Sequence, residues 1–444
     1  MAFKNFFGRS SDAPVAPAPT LGDQLGTSDD SSDDSSHDDA EAPELVTERS
    51  FRERAEAVLP TGASTGSKRA MALYGTADSD VSTHFVAARG AHVTDVEGLR
   101  YLDCTMALGA VALGYAEPRV TQAVVAAAME GNVSSLSSWR EVELAERLCG
   151  TVPCAERVQF LKTGAEATAA AVRLARTYTG RSRVVASGYF GWHDWASDAR
   201  GVPVATRSLV THVPFDDIAA LERAVAEAGS DLAAIVLEPV VEHAPSRAWL
   251  ERARSLADSA GAALVFDEIK TGFRVAPGGY QELCGVTPDL ASFGKALANG
   301  YPLAAVMGAE ALMLAARDTW ISSTLASEST ALAASLAVLD WHDEADICAT
   351  LGDTGREMRA TVDRSIAASG IDGVETDGVD AMWLIRWADP ARESRFVRLA
   401  LANGVMFKRG AYNFAAVAHD EEALRVIEAA ASAAFVALAE DEGR

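Results

Sequence analysis

Residues 262–308 read AALVFDEIKTGFRVAPGGYQELCGVTPDLASFGKALANGYPLAAVMG, and two short apolar runs within them decide the fold. Ala263–Phe266 and Leu290–Phe293 read as buried strands. The first delivers Asp267 at its C-terminal end, and the second delivers Lys295 just past its own. In a parallel α/β sheet, ligands sit at the carboxyl ends of strands. This stretch therefore brings a carboxylate and an amine to one ligand-binding edge.

Outward from it, further apolar runs alternate with amphipathic stretches. Val158–Leu161, Arg183–Ala186, Val210–Val213, Leu232–Leu237 and Leu303–Met307 complete a set of seven candidate strands. A helix is predicted from Asp216–Asp217 to a stop at Gly229, and another from about Ser246 to Gly261; an Asp or Ser opens each and a glycine closes it. The alternation predicts an α/β fold with a mostly parallel seven-stranded sheet and helices on both faces. Phe85–Thr94 reads as an antiparallel element, and Pro118–Gly131 as a helix. Met382–Trp387 is strand-like, and a terminal helix begins at Glu421. The expected division is a tail (1–48), a large domain (105–335) and a smaller α+β domain built from 49–104 and 336–444.

Two packed domains suit 444 residues, and a 49% hydrophobic content supplies a large core. A net charge of −24 argues against nucleic acid and anionic membrane surfaces as partners. Cys104, Cys149, Cys154, Cys284 and Cys348 are odd in number and form no CxxC pair, which fits reduced thiols in a cytoplasmic enzyme better than disulfides or a metal site. The N-terminus has no sustained apolar leader, and no run approaches the roughly 20 apolar residues of a membrane span. Residues 1–48 hold eleven acids against Lys4 and Arg9, nine of the 24 net negative charges. Their TSDDSSDDSSHDD run cannot bury enough apolar surface to order itself, so the segment is expected to be disordered. Its tip, MAFKNFFGRS, reads either as part of an inert solvated tail or as a short peptide that docks on a partner protein.

The chain has only six lysines: Lys4, Lys68, Lys162, Lys270, Lys295 and Lys408. Lys295 follows an apolar strand in a glycine-flanked turn, where desolvation would lower its pKa toward a nucleophilic amine. Lys162 also ends a strand and is its rival. Lys270 follows Asp267 too closely for both to address one ring from useful sides, and Lys408, beside Arg409, reads as surface or substrate-side charge. Thr163-Gly164-Ala165 closes a strand and opens a helix, a turn whose N–H groups suit a phosphate. Tyr189 offers an aromatic face for a planar ring, or is simply core. Asp267 and Ile269 project to one side of an extended segment, whereas Glu268 points the other way. A lysine that forms an imine and an acid that keeps a pyridine nitrogen protonated are the needs of a pyridoxal 5'-phosphate (PLP) enzyme.

FLKTGAEA, GYFGWHD, LEPVV, FDEIKTGFR and SFGKALANGYP, in this order and spacing, resemble the class III PLP-dependent aminotransferases, in the branch that includes glutamate-1-semialdehyde aminomutase. The similarity covers roughly 50–430. It implies the type I PLP fold and a homodimer with sites at the subunit interface. By the same resemblance, Lys295 would hold PLP as the internal aldimine, Asp267 would pair with the pyridine nitrogen, and Tyr189 would stack on the ring. Gly164 and Ala165, with Thr163 nearby, would cradle the phosphate. Glu238 would join the hydrogen-bond shell of the cofactor, and Thr324 would reach the phosphate of the neighbouring subunit. Arg69 stands near the family's carboxylate-binding arginine, one residue out of register, so a plain surface role stays open. Tyr412 is a candidate for the substrate pocket.

The family's Ser-Gly-Thr phosphate turn is Thr163-Gly164-Ala165 here, Phe190 replaces a histidine, and the glycine run after the lysine shrinks to Ala298-Asn299-Gly300. The lid segment between Asp194 and Gly201 is short, which favours transfer between two molecules over an internal amine shift. The expected reaction moves an amino group from a small-molecule donor to an aldehyde or ketone acceptor. A 1,2-aminomutase, a racemase or epimerase, and a catalytically silent scaffold are the alternatives.

Overall fold

The computed structural model describes residues 47–78 and 81–442. The disorder and the docking peptide expected of the tail concern residues that lie outside this range, with one correction at the boundary. Glu48 belongs to the folded part and opens helix α1 (Glu48–Val58). Its buried carboxylate accepts from Thr83 N (2.8 Å) and the Thr83 hydroxyl, and lies 3.0 Å from His84 Nδ1.

All seven strands read from the sequence meet in one sheet: β4 (Arg157–Leu161), β5 (Arg183–Ser187), β6 (Val210–His212), β7 (Leu232–Leu237), β8 (Ala263–Asp267), β9 (Leu290–Phe293) and β10 (Ala304–Gly308). Their order is β4-β10-β9-β8-β7-β5-β6, with β10 antiparallel to both its neighbours and the remaining pairs parallel. Strand β7 shows why such runs are apolar throughout. Side chains alternate between faces, so Ala234 and Val236 pack with the helix α4 (Gly164–Thr179), and Ile235 and Leu237 pack with α5 (Ile218–Ala228) and α6 (Arg247–Ala260). Both faces are covered, so neither tolerates a polar residue.

The helix ends follow their cap chemistry. Asp217 Oδ1 accepts Ala220 N (2.8 Å) at the start of α5, Ser246 Oγ accepts Trp249 N (3.3 Å) at the start of α6, and Gly229 and Gly261 close them. Helices α2 (Pro118–Glu130) and α3 (Trp139–Thr151) lie upstream of β4, and α7 (Ser329–Glu344) packs on both. Two smaller sheets flank the large one in sequence. One joins β1 (Phe85–Arg89), β2 (His92–Asp95) and β3 (Arg100–Asp103) to β13 (Val405–Met406), so it draws on both ends of the chain; the other is β11 (Val374–Val379), β12 (Met382–Trp387) and β14 (Asn413–Phe414). Helices α8 (Ile347–Ser369), α9 (Pro390–Ala402) and α10 (Glu421–Glu442) share an aromatic-rich core around Trp383 and Phe396. Among the described residues no helix is long and apolar enough to cross a membrane.

One cation ties these parts together. Arg274, in the turn after β8, is fully buried and donates to the carbonyls of Ala415 (2.8 Å), Gly109 (3.0 Å) and Ala381 (3.3 Å), with Phe414 under its guanidinium. Arg274→Leu would take their side-chain donor from the Ala415 and Gly109 carbonyls, whereas Ala381 O would keep the Ala415 N–H (3.3 Å). Each such group costs about 1–3 kcal/mol, partly offset because the guanidinium is no longer buried. The expected loss is about 3 kcal/mol in a urea melt; an unchanged midpoint would show that desolvating the cation cancels what its bonds return.

Candidate active site

Asp267 ends β8, and Lys295 follows β9 after Gly294. The two strands are paired neighbours, with Asp267 opposite Ser292. Both residues line one cavity of about 850 Å³, which Thr163, Gly164, Ala165, Tyr189, Glu238, Ile269 and Tyr412 line as well. Most of the candidate residues are thus brought together by the C-terminal ends of β4, β5, β7, β8 and β9.

Lys295 has a left-handed backbone (φ 48°), uncommon for a residue with a side chain. Burial, and next the like charge of Lys270, lower its pKa to about 8. Its ammonium has no hydrogen-bond or ion-pair partner among the described residues. The rival, Lys162, is committed: its Nζ lies 2.8 Å from Glu328 Oε1 and donates to Pro302 O at 3.0 Å. Asp267 is buried, and burial followed by the charge of Glu238 raises its carboxyl to about 8. Ile269 N–H donates to its Oδ1 (3.0 Å), and Oδ2 has no protein partner among the described residues. Glu268 points away, as expected, and accepts from Tyr280 N (2.8 Å) and Gln281 N (3.0 Å).

Helix α4 begins at the cavity with a reciprocal cap: Thr163 Oγ1 accepts Glu166 N (3.2 Å), and the Glu166 carboxylate accepts Thr163 N (2.9 Å). The N–H groups of Gly164 and Ala165, first in the helix, have no intrahelical acceptor. A side chain on Gly164 would meet Ile269 at 3.2 Å, so the glycine lets Ile269 pack close against the phosphate-type turn. Gly188 has φ 130°, and any Cβ there would strike Glu238 at 2.7 Å. That close approach lets Tyr189 N–H reach Glu238 Oε2 (2.9 Å). Tyr189 is exposed at the cavity, whereas Phe190 turns into the core against Trp195. Asn299, part of the shortened glycine run, accepts Ala112 N and Leu113 N (each 2.9 Å) and donates to Gly114 O (3.0 Å), so it fixes the 112–114 loop.

Lys270 requires a correction. It lines the same cavity as Asp267, with its Nζ 2.8 Å from Glu238 Oε1, 3.3 Å from Tyr412 Oη and 4.4 Å above the Tyr412 ring. The strand ends at Asp267 and the chain turns at Ile269, so two-residue alternation no longer governs where Lys270 points. Arg69 is not brought in. It is exposed on a separate surface depression with Arg52 and Lys68. Thr324 is exposed and lies outside the cavity of its own chain. Trp192 lines the cavity too, and only its place in the GYFGWHD segment could have flagged it.

A nucleophilic amine, a buried carboxyl with one free oxygen, and unpaired N–H groups at a helix start surround a single space. They match a molecule that carries an aldehyde, a basic ring nitrogen and a phosphate, which describes PLP.

A sequence model of the Aminotransferase class-III family matches residues 74–419. The chain is 33% identical over 341 residues to a 3-aminobutyryl-CoA aminotransferase of Cloacimonas acidaminovorans, covering 75% of this chain and 81% of the relative. It is 32% identical over 428 residues to a glutamate-1-semialdehyde 2,1-aminomutase of Polynucleobacter necessarius, covering 86% and 97%. Among solved structures, the PLP internal aldimine form of Sphingopyxis sp. FumI superposes with a TM-score of 0.85 at 28% identity, covering 89% of this chain and 97% of that one. The chain belongs to the class III aminotransferase family, with its PLP-dependent fold and activity.

Proposed function

We propose that Lys295 is the residue that carries the cofactor and moves the proton in amino-group transfer, with Asp267 as its partner across the ring. The observation behind this is the placement of both groups, unpaired on their reactive atoms, at adjacent strand ends in one cavity. Bound PLP supplies the electron sink that makes a C–H bond next to nitrogen acidic. Lys295, with a pKa near 8, has a usable neutral fraction at neutral pH and can both take up and return a proton at Nζ. Asp267 offers its free oxygen to the ring nitrogen. Gly164 and Ala165 would hold the phosphate, and Tyr189 and Ile269 would flank the ring. Glu238, with Lys270 on one oxygen and the Tyr189 N–H on the other, keeps that wall in place.

A half-reaction screen tests the reading. In a transaminase, an amine alone should bleach the visible absorbance of the bound cofactor, and a carbonyl acceptor should restore it. Product from a single substrate, with no donor present, would instead show a mutase or racemase.

We further propose a homodimer in which Thr324 reaches the neighbouring site. Val125, Met129, Val133, Leu136, Trp139 and Val142 are exposed apolar residues along α2, α3 and the segment between. That segment meets the Thr324 loop, since Ser329 N donates to Asn132 O (2.8 Å). An apolar band of this kind calls for a partner surface. Leu136→Asp should elute as a monomer with little activity; an unchanged dimer would discard this surface. The five free cysteines support a reducing, cytoplasmic setting, which cell fractionation checks.

A further inference from the structure

Lys162 stands between β4 and the phosphate-type turn Thr163-Gly164-Ala165, and its N–H joins the cap of α4 by donating to Glu166 Oε2 (2.9 Å). Its side chain leaves that turn: Nζ lies 2.8 Å from Glu328 Oε1 and donates to Pro302 O at 3.0 Å. Glu328 is buried at the N-cap of α7, where its carboxylate also accepts Ala331 N (3.0 Å), Thr330 N (2.8 Å) and the Thr330 hydroxyl. Burial pushes the Glu328 carboxyl up, but the bonds from Lys162 and Thr330 outweigh it and hold the group below its ordinary value, so the pair is ionic. Thr330 and Ala331 already complete the helix cap. A cation from 166 residues away in the chain adds something else: it ties the start of α7 to the phosphate turn.

Thr324 comes four residues before Glu328, in a segment folded as two overlapping turns, with Ala326 N donating to Ser323 O (3.1 Å) and Glu328 N to Leu325 O (3.3 Å). The other side of Glu328 is anchored too, by Ser329 N on Asn132 O. Whatever shifts Glu328 therefore shifts Thr324. Trp320 and Leu325, on either side of Thr324, are exposed apolar residues, as a loop covered by another chain requires. We propose that Lys162 is a positioning residue for the neighbouring protomer's site: it fixes Glu328, and through it the loop that brings Thr324 to the cofactor phosphate of the partner. One ion pair then links each protomer's own phosphate turn to the loop that completes the other site. This rests on the homodimer reading, in which Thr324 crosses between subunits.

The test uses hybrid dimers of two differently tagged full-length protomers. One carries Lys295→Ala, alone or with a second substitution, and the other is unaltered. PLP is added in graded amounts, borohydride fixes it to Lys295, and the mass of the unaltered protomer then reports the occupancy of its site alone. Pyridoxal, which lacks the phosphate, is the control ligand. With Lys162→Met in the Lys295→Ala protomer, the unaltered protomer should need at least fivefold more PLP for half occupancy, but no more than twofold more pyridoxal. Glu328→Gln, which can still accept from Thr330 and Ala331, should act the same way, and Lys162→Arg should restore most of the affinity. Thr324→Val should match the effect, and Lys162→Met should add nothing to it. An unchanged PLP affinity in the unaltered protomer overturns the proposal. So does a loss equal for PLP and pyridoxal, which marks a general structural defect, or a loss seen only when Lys162→Met and the intact Lys295 share a protomer. Protein that sediments as a monomer ends the homodimer reading and this proposal with it, whereas a dimer with no effect between subunits ends this proposal alone.

Discussion

Lys295→Ala is expected to abolish turnover, by roughly 10⁴-fold or more, and to remove the visible absorbance that marks cofactor joined to the protein. The variant loses both the covalent tether and the amine that stands beside Asp267 at adjacent strand ends. Lys162 and Lys270 cannot take over, because each is held by a carboxylate at 2.8 Å. Retained turnover would end the assignment. The same amine predicts a pH dependence. Only neutral Lys295 attacks an aldehyde, so capture of PLP by cofactor-free protein should speed up as pH rises and level off above about 8, well below the ordinary lysine value. In Lys270→Met the loss of a like charge and the release of Glu238 both act upward on that midpoint. A midpoint that stays at 8 would show that the charge of Lys270 does not set it.

Asp267→Asn is expected to lower kcat by about 10³-fold while PLP still binds. The amide keeps the size of the side chain and can still accept the Ile269 N–H, so the loop is spared. What disappears is an ionisable carboxyl that can pass its proton to the ring nitrogen and pair with it as a carboxylate. Activity within tenfold of wild type would mean that the charge is not used.

The sheet was legible because its central strands are buried on both faces and so read as uninterrupted apolar runs, as at Leu232–Leu237. The helix ends were legible because Asp217 and Ser246 do local capping work that needs no tertiary context. Asp267 and Lys295 were legible because they stand at strand ends, where position in the chain fixes position in the sheet. Lys270 was not, since the chain leaves the strand after Asp267 and periodicity stops being a guide. Lys408 showed its charge but not its burial on the cavity wall. Arg69 stood near the family's carboxylate-binding arginine only with a one-residue shift, and in this chain it lies on a separate surface depression with Arg52 and Lys68.

The choice of Arg274 for the seam behind the cavity has its own effect. Even lowered by burial, its pKa stays near 10, above the values near 8 at which Lys295 and Asp267 exchange protons. Acidity can therefore reset the reacting groups while the scaffold that frames them keeps its charge and its three carbonyl tethers. Chemistry and architecture answer to different stretches of the pH scale.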